Sequence, residues 1–283
     1  MDYKWYVDQI SEDQFHCYEI LEVLVDIKTP WQKIQIIRNK TLGKCLIIDG
    51  KIQSTEADEY IYHESLIHPP LILHPDPRDI LVVGVGEGAT LRELLKYPEV
   101  NITAVEIDPE VINFAEQYLE EWHQGAFKNP RVKLIYDDGW NYLKNTSNSF
   151  DVIVLDLPEP YPNTPAYRLY TPEFYKMVWE KLNPYGIMVT QGETTQWGQQ
   201  YKHFWIKENL KKVFGENVYS YQAYIPSFDS SWGFLIAGKD KIDPFKDKKE
   251  IDDLINKRIK EPLRFYDGIT HLSLFYLPKY LRD

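Results

Sequence analysis

The run Gly84-Val85-Gly86-Glu87-Gly88-Ala89-Thr90 sets three alternating glycines and one acid directly after an apolar stretch, Ile80 to Val83. Glycines there let the chain turn tightly and let a ligand approach the backbone at a helix N-terminus. Eighteen positions after Gly88, Val105-Glu106-Ile107-Asp108 closes a second apolar run. A carboxylate at that place accepts hydrogen bonds from the two hydroxyls of a ribose. A third run ends in Asp137-Asp138-Gly139, placed to read an adenine amino group. The spacing predicts a nucleoside site with Gly84, Gly86, Glu106, Asp138 and Gly139 around it. The same letters satisfy the G-x-G-x-x-A dinucleotide pattern. Glu87 weighs against a dinucleotide, because an acid in that loop repels a pyrophosphate and attracts a sulfonium or an ammonium. A fourth run ends in Asp156-Leu157-Pro158-Glu159-Pro160, a rigid loop with two acids.

Four loops can act together only if one sheet brings them to one edge. Ile80–Val83, Ile102–Val105, Val132–Ile135, Val152–Leu155 and Ile187–Val189 read as buried strands. Helical patterns lie between several of them: Ala89–Lys96, Pro109–Leu119 with proline at its start, and one opened by Thr171-Pro172. Strands buried on both faces and separated by helices imply an α/β, doubly wound, mostly parallel Rossmann-like sheet of the methyltransferase type. Ligands of such sheets bind at the carboxyl ends of the strands. Before residue 56 the texture is different. Gln32–Arg38 alternates, and Asp49-Gly50 separates two short β-like runs, a strong hairpin signal. The expectation is a small antiparallel β domain over 1–55 and a Rossmann-like catalytic domain over 56–283. Thr55 is expected to cap the following helix, and Pro69-Pro70 to interrupt it.

The chain has 283 residues, 43% hydrophobic and 27% charged, with a formal net charge of -11. That charge argues against a nucleic-acid backbone as partner and is compatible with a cationic ligand. Cys17 and Cys45 are too few for a disulfide framework, and no apolar run is long enough to span a bilayer. A soluble, cytoplasmic protein is expected. The histidines, His63 apart, show no metal-ligand spacing, so no metal is expected. The charged stretch 239–260 reads as a solvated loop and helix, and Tyr219-Ser220-Tyr221 as core.

At this point the sequence resembles the spermidine-synthase, or polyamine aminopropyltransferase, family. The resemblance runs in order through Trp31-Gln32, Asp49-Gly50 to Glu59, Tyr62-His63-Glu64, Gly84 to Glu93, Glu106-Ile107-Asp108, Asp138-Gly139, Asp156 to Pro160, Gln191-Gly192-Glu193, and a tail from Leu263 to Pro278. It implies that decarboxylated S-adenosylmethionine is a co-substrate and that no separate cofactor is needed. Gln32, Glu106, Asp138 and Gly139 would then hold the nucleoside and thioether, with Pro165 lining the adenine. Glu87 and Glu159 would grip cationic amines, Tyr62 and His63 would line the acceptor channel, and Asp156 would accept the proton. A homodimer or homotetramer joined through the N-terminal sheets is also implied.

The chain departs from the spermidine-making members at Glu87 and Glu159, where they usually carry aspartates. It also has a longer loop at 161–164, and Phe228 in place of a frequent tyrosine. These features resemble the thermospermine-synthase branch and imply spermidine or a similar triamine as acceptor. A spermidine synthase using putrescine is the alternative. An S-adenosylmethionine-dependent methyltransferase and a non-catalytic polyamine-binding protein are the readings from other classes. Glu87 opposes the first, because it would repel that donor's carboxylate. The second leaves Asp156 and a complete donor site without purpose.

Overall fold

The computed structural model describes residues 4–10, 14–162 and 164–282. Its N-terminal part is all antiparallel. β1 (Trp5–Gln9) and β2 (Phe15–Glu19) form a two-stranded ribbon. β3 (Glu22–Lys28), β4 (Lys33–Asn39), β5 (Gly43–Ile48) and β6 (Lys51–Thr55) form a four-stranded sheet in chain order. The β5–β6 turn is the expected hairpin. Asp49 and Gly50 both adopt positive φ, 49° and 79°, as a two-residue turn matched to strand twist requires. The Asp49 carboxylate also accepts the Lys33 amide at 2.8 Å, tying the hairpin to β4.

α1 (Glu59–Leu73) connects this part to a seven-stranded sheet. The strands of that sheet are β7 (Asp79–Val83), β8 (Asn101–Glu106), β9 (Val132–Tyr136), β10 (Phe150–Leu155), β11 (Leu182–Thr194), β12 (Val218–Ile225) and β13 (Ser230–Gly238). They lie in the order β12-β13-β11-β10-β7-β8-β9. β7 to β11 run parallel, and β13 is antiparallel to both β11 and β12. Between the strands lie α2 (Ala89–Leu95), α3 (Pro109–Tyr118), α4 (Glu120–His123), α5 (Gly139–Asn145), α6 (Pro172–Lys181) and α7 (Tyr201–Phe214). α8 (Lys248–Arg258) and α9 (Gly268–Phe275) follow the last strand. The chain winds outward from β7 through β8 and β9, then returns to add β10 and β11 on the other side. The winding therefore reverses between β7 and β10, where an α/β sheet opens a crevice at its carboxyl edge. Gly84 follows β7 at that edge, and Asp156 follows β10.

Helix starts are fixed by local side chains. Asp108 caps α3 by accepting the Glu110 amide at 3.1 Å, and Asp138 caps α5 through Asn141 at 3.1 Å. Thr171 accepts the Phe174 amide at 3.4 Å, with Pro172 in the first helical position. Two expectations about α1 need correction. Thr55 does not cap it: the helix begins after Asp58, and the Thr55 hydroxyl bonds to the Asp58 carboxylate at 2.7 Å. That carboxylate in turn accepts the Ser227 amide, joining α1 to the β12–β13 connection.

Nor do Pro69 and Pro70 interrupt the helix, which continues to Leu73. A proline inside a helix costs about 3 kcal/mol. Leu66, Ile67, Leu71 and Ile72 are all buried on this helix, each stabilising by about 1.5–3 kcal/mol, so burial outweighs the two prolines. The Ser65 carbonyl, which Pro69 has no amide to satisfy, accepts the Tyr221 hydroxyl at 3.0 Å. Among the described residues no helix is long and apolar enough to cross a membrane.

Tyr221→Phe removes the donor to the Ser65 carbonyl while keeping the ring in place. We expect stability to unfolding to fall by about 1–3 kcal/mol, the cost of a buried unsatisfied group. Equilibrium denaturation measures it. A loss under ~0.5 kcal/mol, within the range of an ordinary surface substitution, would mean that this bond does not compensate the proline.

Candidate active site

A cleft of about 1040 Å³ opens at the carboxyl edge of the large sheet, roofed by residues of the N-terminal strands. All thirteen residues selected from the sequence line it: Gln32, Tyr62, His63, Gly84, Gly86, Glu87, Glu106, Asp138, Gly139, Asp156, Glu159, Pro165 and Phe228. Two glycines allow the loops to close. Gly84 has φ +82°, and a Cβ there would overlap the Asp156 carbonyl oxygen. A Cβ on Gly139 would overlap the Val83 side chain.

On one side of the cleft the β8 end is organised by Glu106. One carboxylate oxygen accepts the Val85 and Gly86 amides at 2.9 and 3.3 Å, and the other accepts the Asp108 amide at 3.0 Å. Burial raises its pKa against these three donors. Since a carboxylate offers about four lone pairs, capacity remains for hydroxyl donors from the cleft. Gln32 reaches this region from the turn before β4, where its amide donates to Asp108 at 3.0 Å. Thr29 donates to the same oxygen at 2.7 Å. This junction fastens the N-terminal sheet to the nucleotide-loop side of the cleft. Asp138 pairs with Arg168 at 2.7 Å, and Pro165 starts the short 3₁₀ turn Pro165–Tyr170 that carries that arginine.

The centre of the cleft is the end of β10. Tyr62 donates to one Asp156 oxygen at 2.8 Å and Thr90 to the other at 2.7 Å. Burial raises the Asp156 pKa, opposed by the charge of nearby His63 and by these two hydroxyls. Tyr62 itself is pushed well above its usual range by burial and by Asp156, so it remains a phenol and a donor. His63 Nε2 lies 3.2 Å from Glu87 Oε1, close enough for an ion pair but not aligned as a hydrogen bond. This buried oxygen has no hydrogen-bond partner among the described residues.

The far end holds Glu159 and Phe228, and also residues to which the sequence reading gave no role. Phe228 meets the Tyr62 ring edge-on at 6.2 Å and Trp232 at 5.0 Å. Glu193 is buried, sits at φ 64°, and has one carboxylate oxygen without a hydrogen-bond partner among the described residues. Lys202 reaches its other oxygen at 3.3 Å while lying over the Tyr161 ring at 4.0 Å. Burial and the charge of Glu159 raise the Glu193 pKa to about 7, with Lys202 opposing. Asp8, buried on β1, pairs with Lys51 at 3.4 Å, and its pKa is raised by burial. On β1 it is Tyr6 and Asp8 that face inward while Trp5 and Val7 are exposed, the reverse of what apolar patterning of Trp5–Gln9 suggests.

The described residues contain no cluster of His, Cys, Asp and Glu suited to holding a metal ion. What they assemble is a Rossmann-like nucleoside site continuous with an acidic, aromatic-lined channel, as in a transferase acting on a cationic substrate. Family models agree: residues 59–248 match the spermine/spermidine synthase domain and residues 4–56 the spermidine synthase tetramerisation domain. The chain belongs to the spermine/spermidine synthase family. It is similar to the polyamine aminopropyltransferase of Sulfurisphaera tokodaii, 43% identical over 100% of this chain and 93% of that protein. The polyamine aminopropyltransferase of Aeropyrum pernix is 40% identical over 100% and 91%. Among solved structures, a spermidine synthase in complex with the transition state analogue AdoDATO superposes with a TM-score of 0.91 at 29% identity. That match covers 100% of this chain and 94% of the other. The spermidine synthase from Thermotoga maritima gives 0.89 at 28%, with the same coverage.

The raised Glu193 pKa has a consequence for stability. The native state holds a proton there that the unfolded chain releases near pH 4.5, so stability falls as pH rises from about 4.5 to 7. Glu193→Gln cannot ionise and escapes this loss. Relative to the parent, the variant should gain about 1 kcal/mol or more between pH 5 and pH 8, the scale of one pKa unit. Denaturant titrations at the two pH values test this; an equal difference at both would assign Glu193 an unperturbed carboxylate.

Proposed function

We propose that this chain transfers the aminopropyl group of decarboxylated S-adenosylmethionine to an amine of a polyamine, releasing methylthioadenosine. The observation that carries this reading is that Asp156, held by Tyr62 and Thr90, lines the same cleft as Glu87, whose Oε1 makes no hydrogen bond among the described residues. The names of the relatives and the family support it. In this reading Gln32, Gly84, Gly86, Glu106, Asp138, Gly139 and Pro165 hold the nucleoside. Glu87 receives the donor's ammonium and helps place the acceptor. Tyr62, His63, Glu159 and Phe228 line the acceptor channel.

The mechanism follows from charge. An aliphatic amine has a pKa near ~10 and cannot attack while protonated. Asp156 takes that proton as the nitrogen closes on the propyl carbon next to the sulfonium. The new carbon–nitrogen bond forms as the carbon–sulfur bond breaks, and both electrons of the broken bond stay on sulfur. Methylthioadenosine leaves as a neutral thioether. Holding both reactants in line supplies the largest part of the acceleration, on the order of 7–11 kcal/mol for well-oriented reactants.

Asp156→Asn should lower turnover at least ~100-fold, the scale of a lost general base. Nucleoside binding should change little, since Glu106 and Asp138 are intact. Release of methylthioadenosine under saturating substrates measures the effect, and near-normal turnover would remove Asp156 from the mechanism.

For the acceptor we propose spermidine or a similar triamine, with thermospermine as product. Glu159 reaches one methylene further than an aspartate. Glu193 and Asp8 add two buried acids beyond it, and Phe228 offers a ring where a hydroxyl would orient a short diamine. Each charge-assisted hydrogen bond to a further ammonium contributes roughly 1.5–3 kcal/mol. Spermidine should therefore exceed putrescine in kcat/KM, with chromatography identifying the isomer formed. A tenfold preference for putrescine would make the chain a spermidine synthase.

We also propose a homodimer or homotetramer, acting in the cytoplasm and joined through residues 1–55, taken as one domain beside a catalytic domain of 56–283. Exposed Trp5, Val7 and Phe15 on the β1–β2 ribbon and the tetramerisation-domain match support that contact.

A further inference from the structure

Behind the cleft wall runs a buried chain of charged groups that the reaction as described does not use. Arg92, on α2, grips Glu59 with both guanidinium arms, Nη1 to Oε1 at 3.0 Å and Nη2 to Oε2 at 2.9 Å. Its remaining donors go to Glu93 at 2.9 Å and to the Trp122 carbonyl at 2.8 Å. Glu93 is itself held by His68 at 3.1 Å and Lys96 at 2.8 Å. Glu59 stands at the first turn of α1, four residues before His63. His63 Nδ1 meets the Glu59 carbonyl oxygen at 2.7 Å and its carboxylate at 3.1 Å. His63 Nε2 faces the Glu87 carboxylate at 3.2 Å. Glu59, His63, Glu87, Arg92 and Glu93 are all buried.

The atoms around His63 are informative by type. Nδ1 is bracketed by two oxygens that can only accept once Glu59 is ionised, and the bidentate arginine keeps it ionised. Nε2 faces another carboxylate oxygen. Nδ1 therefore donates to Glu59, and a carboxylate 3.2 Å from Nε2, at ion-pair distance, favours the charged ring with hydrogen on both nitrogens. Arg92 thus supplies the charge that makes Glu59 a fixed anion, and Glu59 makes His63 a fixed cation.

We infer that Glu59 and Arg92 are positioning residues that hold His63 as an imidazolium beside Glu87 and Asp156, and that this cation keeps Asp156 ionised and helps the attacking amine shed its proton. The inference rests on the reading of Asp156 as proton acceptor. The physical need is plain. Asp156 and Glu87 together stabilise a protonated amine, and would also raise one another's affinity for protons. A permanent positive charge opposes both effects without occupying the channel. The charged and titratable groups around His63 are Glu59 from its own helix and Glu87 from the glycine loop, with Arg92 and Glu93 from α2 behind Glu59; Asp156, at the end of β10, lines the same cleft. Its neighbour Tyr62 bonds Asp156. The shifts fit this geometry: despite burial, Glu59 and Glu87 carry His63 well above its ordinary range, while burial raises Asp156 and the charge of His63 opposes that rise.

The test uses the full-length protein. Nitrogen NMR of labelled histidine, with the His63 signals assigned by their absence from His63→Asn, should show both ring nitrogens protonated from pH 6 to 8. In Glu59→Gln one nitrogen should become bare within that interval. The acid limb of the kcat profile should move upward by about one pH unit, because Asp156 without a neighbouring cation binds its proton more tightly. Turnover at pH values below the parent's limb should fall by up to about tenfold and match the parent well above the shifted limb. Arg92→Lys, which keeps the charge but loses the fork, should move the limb in the same direction and serves if Glu59→Gln does not fold. A neutral His63 in the parent at pH 7 would overturn the inference. So would an equal loss of activity at every pH in the variants, the mark of a merely structural role. If instead Asp156→Asn keeps its turnover while the His63 signals behave as described, the proton-acceptor reading fails and the ionisation of His63 stands.

Discussion

An amine transferred to or from a carbon must be recognised as a cation and must react as a neutral nitrogen. The cleft is shaped by that conflict. Carboxylates are the natural partners for ammonium groups, but each one added near the reacting nitrogen holds its proton more firmly. In the proposed mechanism the two tasks fall to different carboxylates. Asp156 is held by two hydroxyls, and Glu87 and Glu159 line the same cleft. Buried acids in the cleft have a basic group close by: His63 beside Glu87, Lys202 on Glu193 and Lys51 on Asp8. Isolated buried charges are unstable, so these partners are a condition for keeping so much negative charge inside the protein.

The scaffold meets a matching geometric demand. Asp156 and the glycine loop belong to neighbouring parallel strands, β10 and β7, at the place where the winding of the sheet reverses. Their approach is so close that only glycine fits at position 84. The Thr29–Gln32 turn crosses from the N-terminal sheet to Asp108, so that sheet is part of the cleft wall as well as a separate layer. The seam between the two parts is polar and specific, consistent with a lid fixed in register over the nucleoside side.

Much of this was legible in the sequence because it is local or periodic. Apolar runs ending in glycine or acid mark the carboxyl edge of a parallel sheet, and Asp49-Gly50 announces its own turn. The glycine loop, Glu106, Asp138, Gly139, Asp156 and Glu159 meet in one cleft because the fold class brings strand ends together, whereas Gln32, Tyr62, His63 and Phe228 come from other elements and were singled out by the resemblance. What escaped is non-local. Pro69-Pro70 reads as a break, and only the Tyr221 hydroxyl, 156 residues beyond Ser65, shows how the helix continues. Glu193 lies in a strand so thoroughly buried that no alternation singles it out. The contact of Arg92 with Glu59 spans 33 positions and joins two helices, so no spacing rule reveals it. Asp8 escaped for another reason: alternation on β1 pairs it with Tyr6, but Trp5 and Val7 on the opposite face are the exposed ones, so apolar patterning points the wrong way.

The account stands or falls on Glu87, an acid in a loop where a nucleotide enzyme would place a neutral residue. A carboxylate brought within ~4 Å of Glu87 is repelled by several kcal/mol at an intermediate dielectric. An ammonium at the same place is attracted. Isothermal titration calorimetry with S-adenosylmethionine and with its decarboxylated form, on the same preparation, compares the two directly. Decarboxylated S-adenosylmethionine should bind at least ~100-fold more tightly, a difference of about 2.7 kcal/mol. Equal dissociation constants would contradict the account and make the cleft that of a methyltransferase.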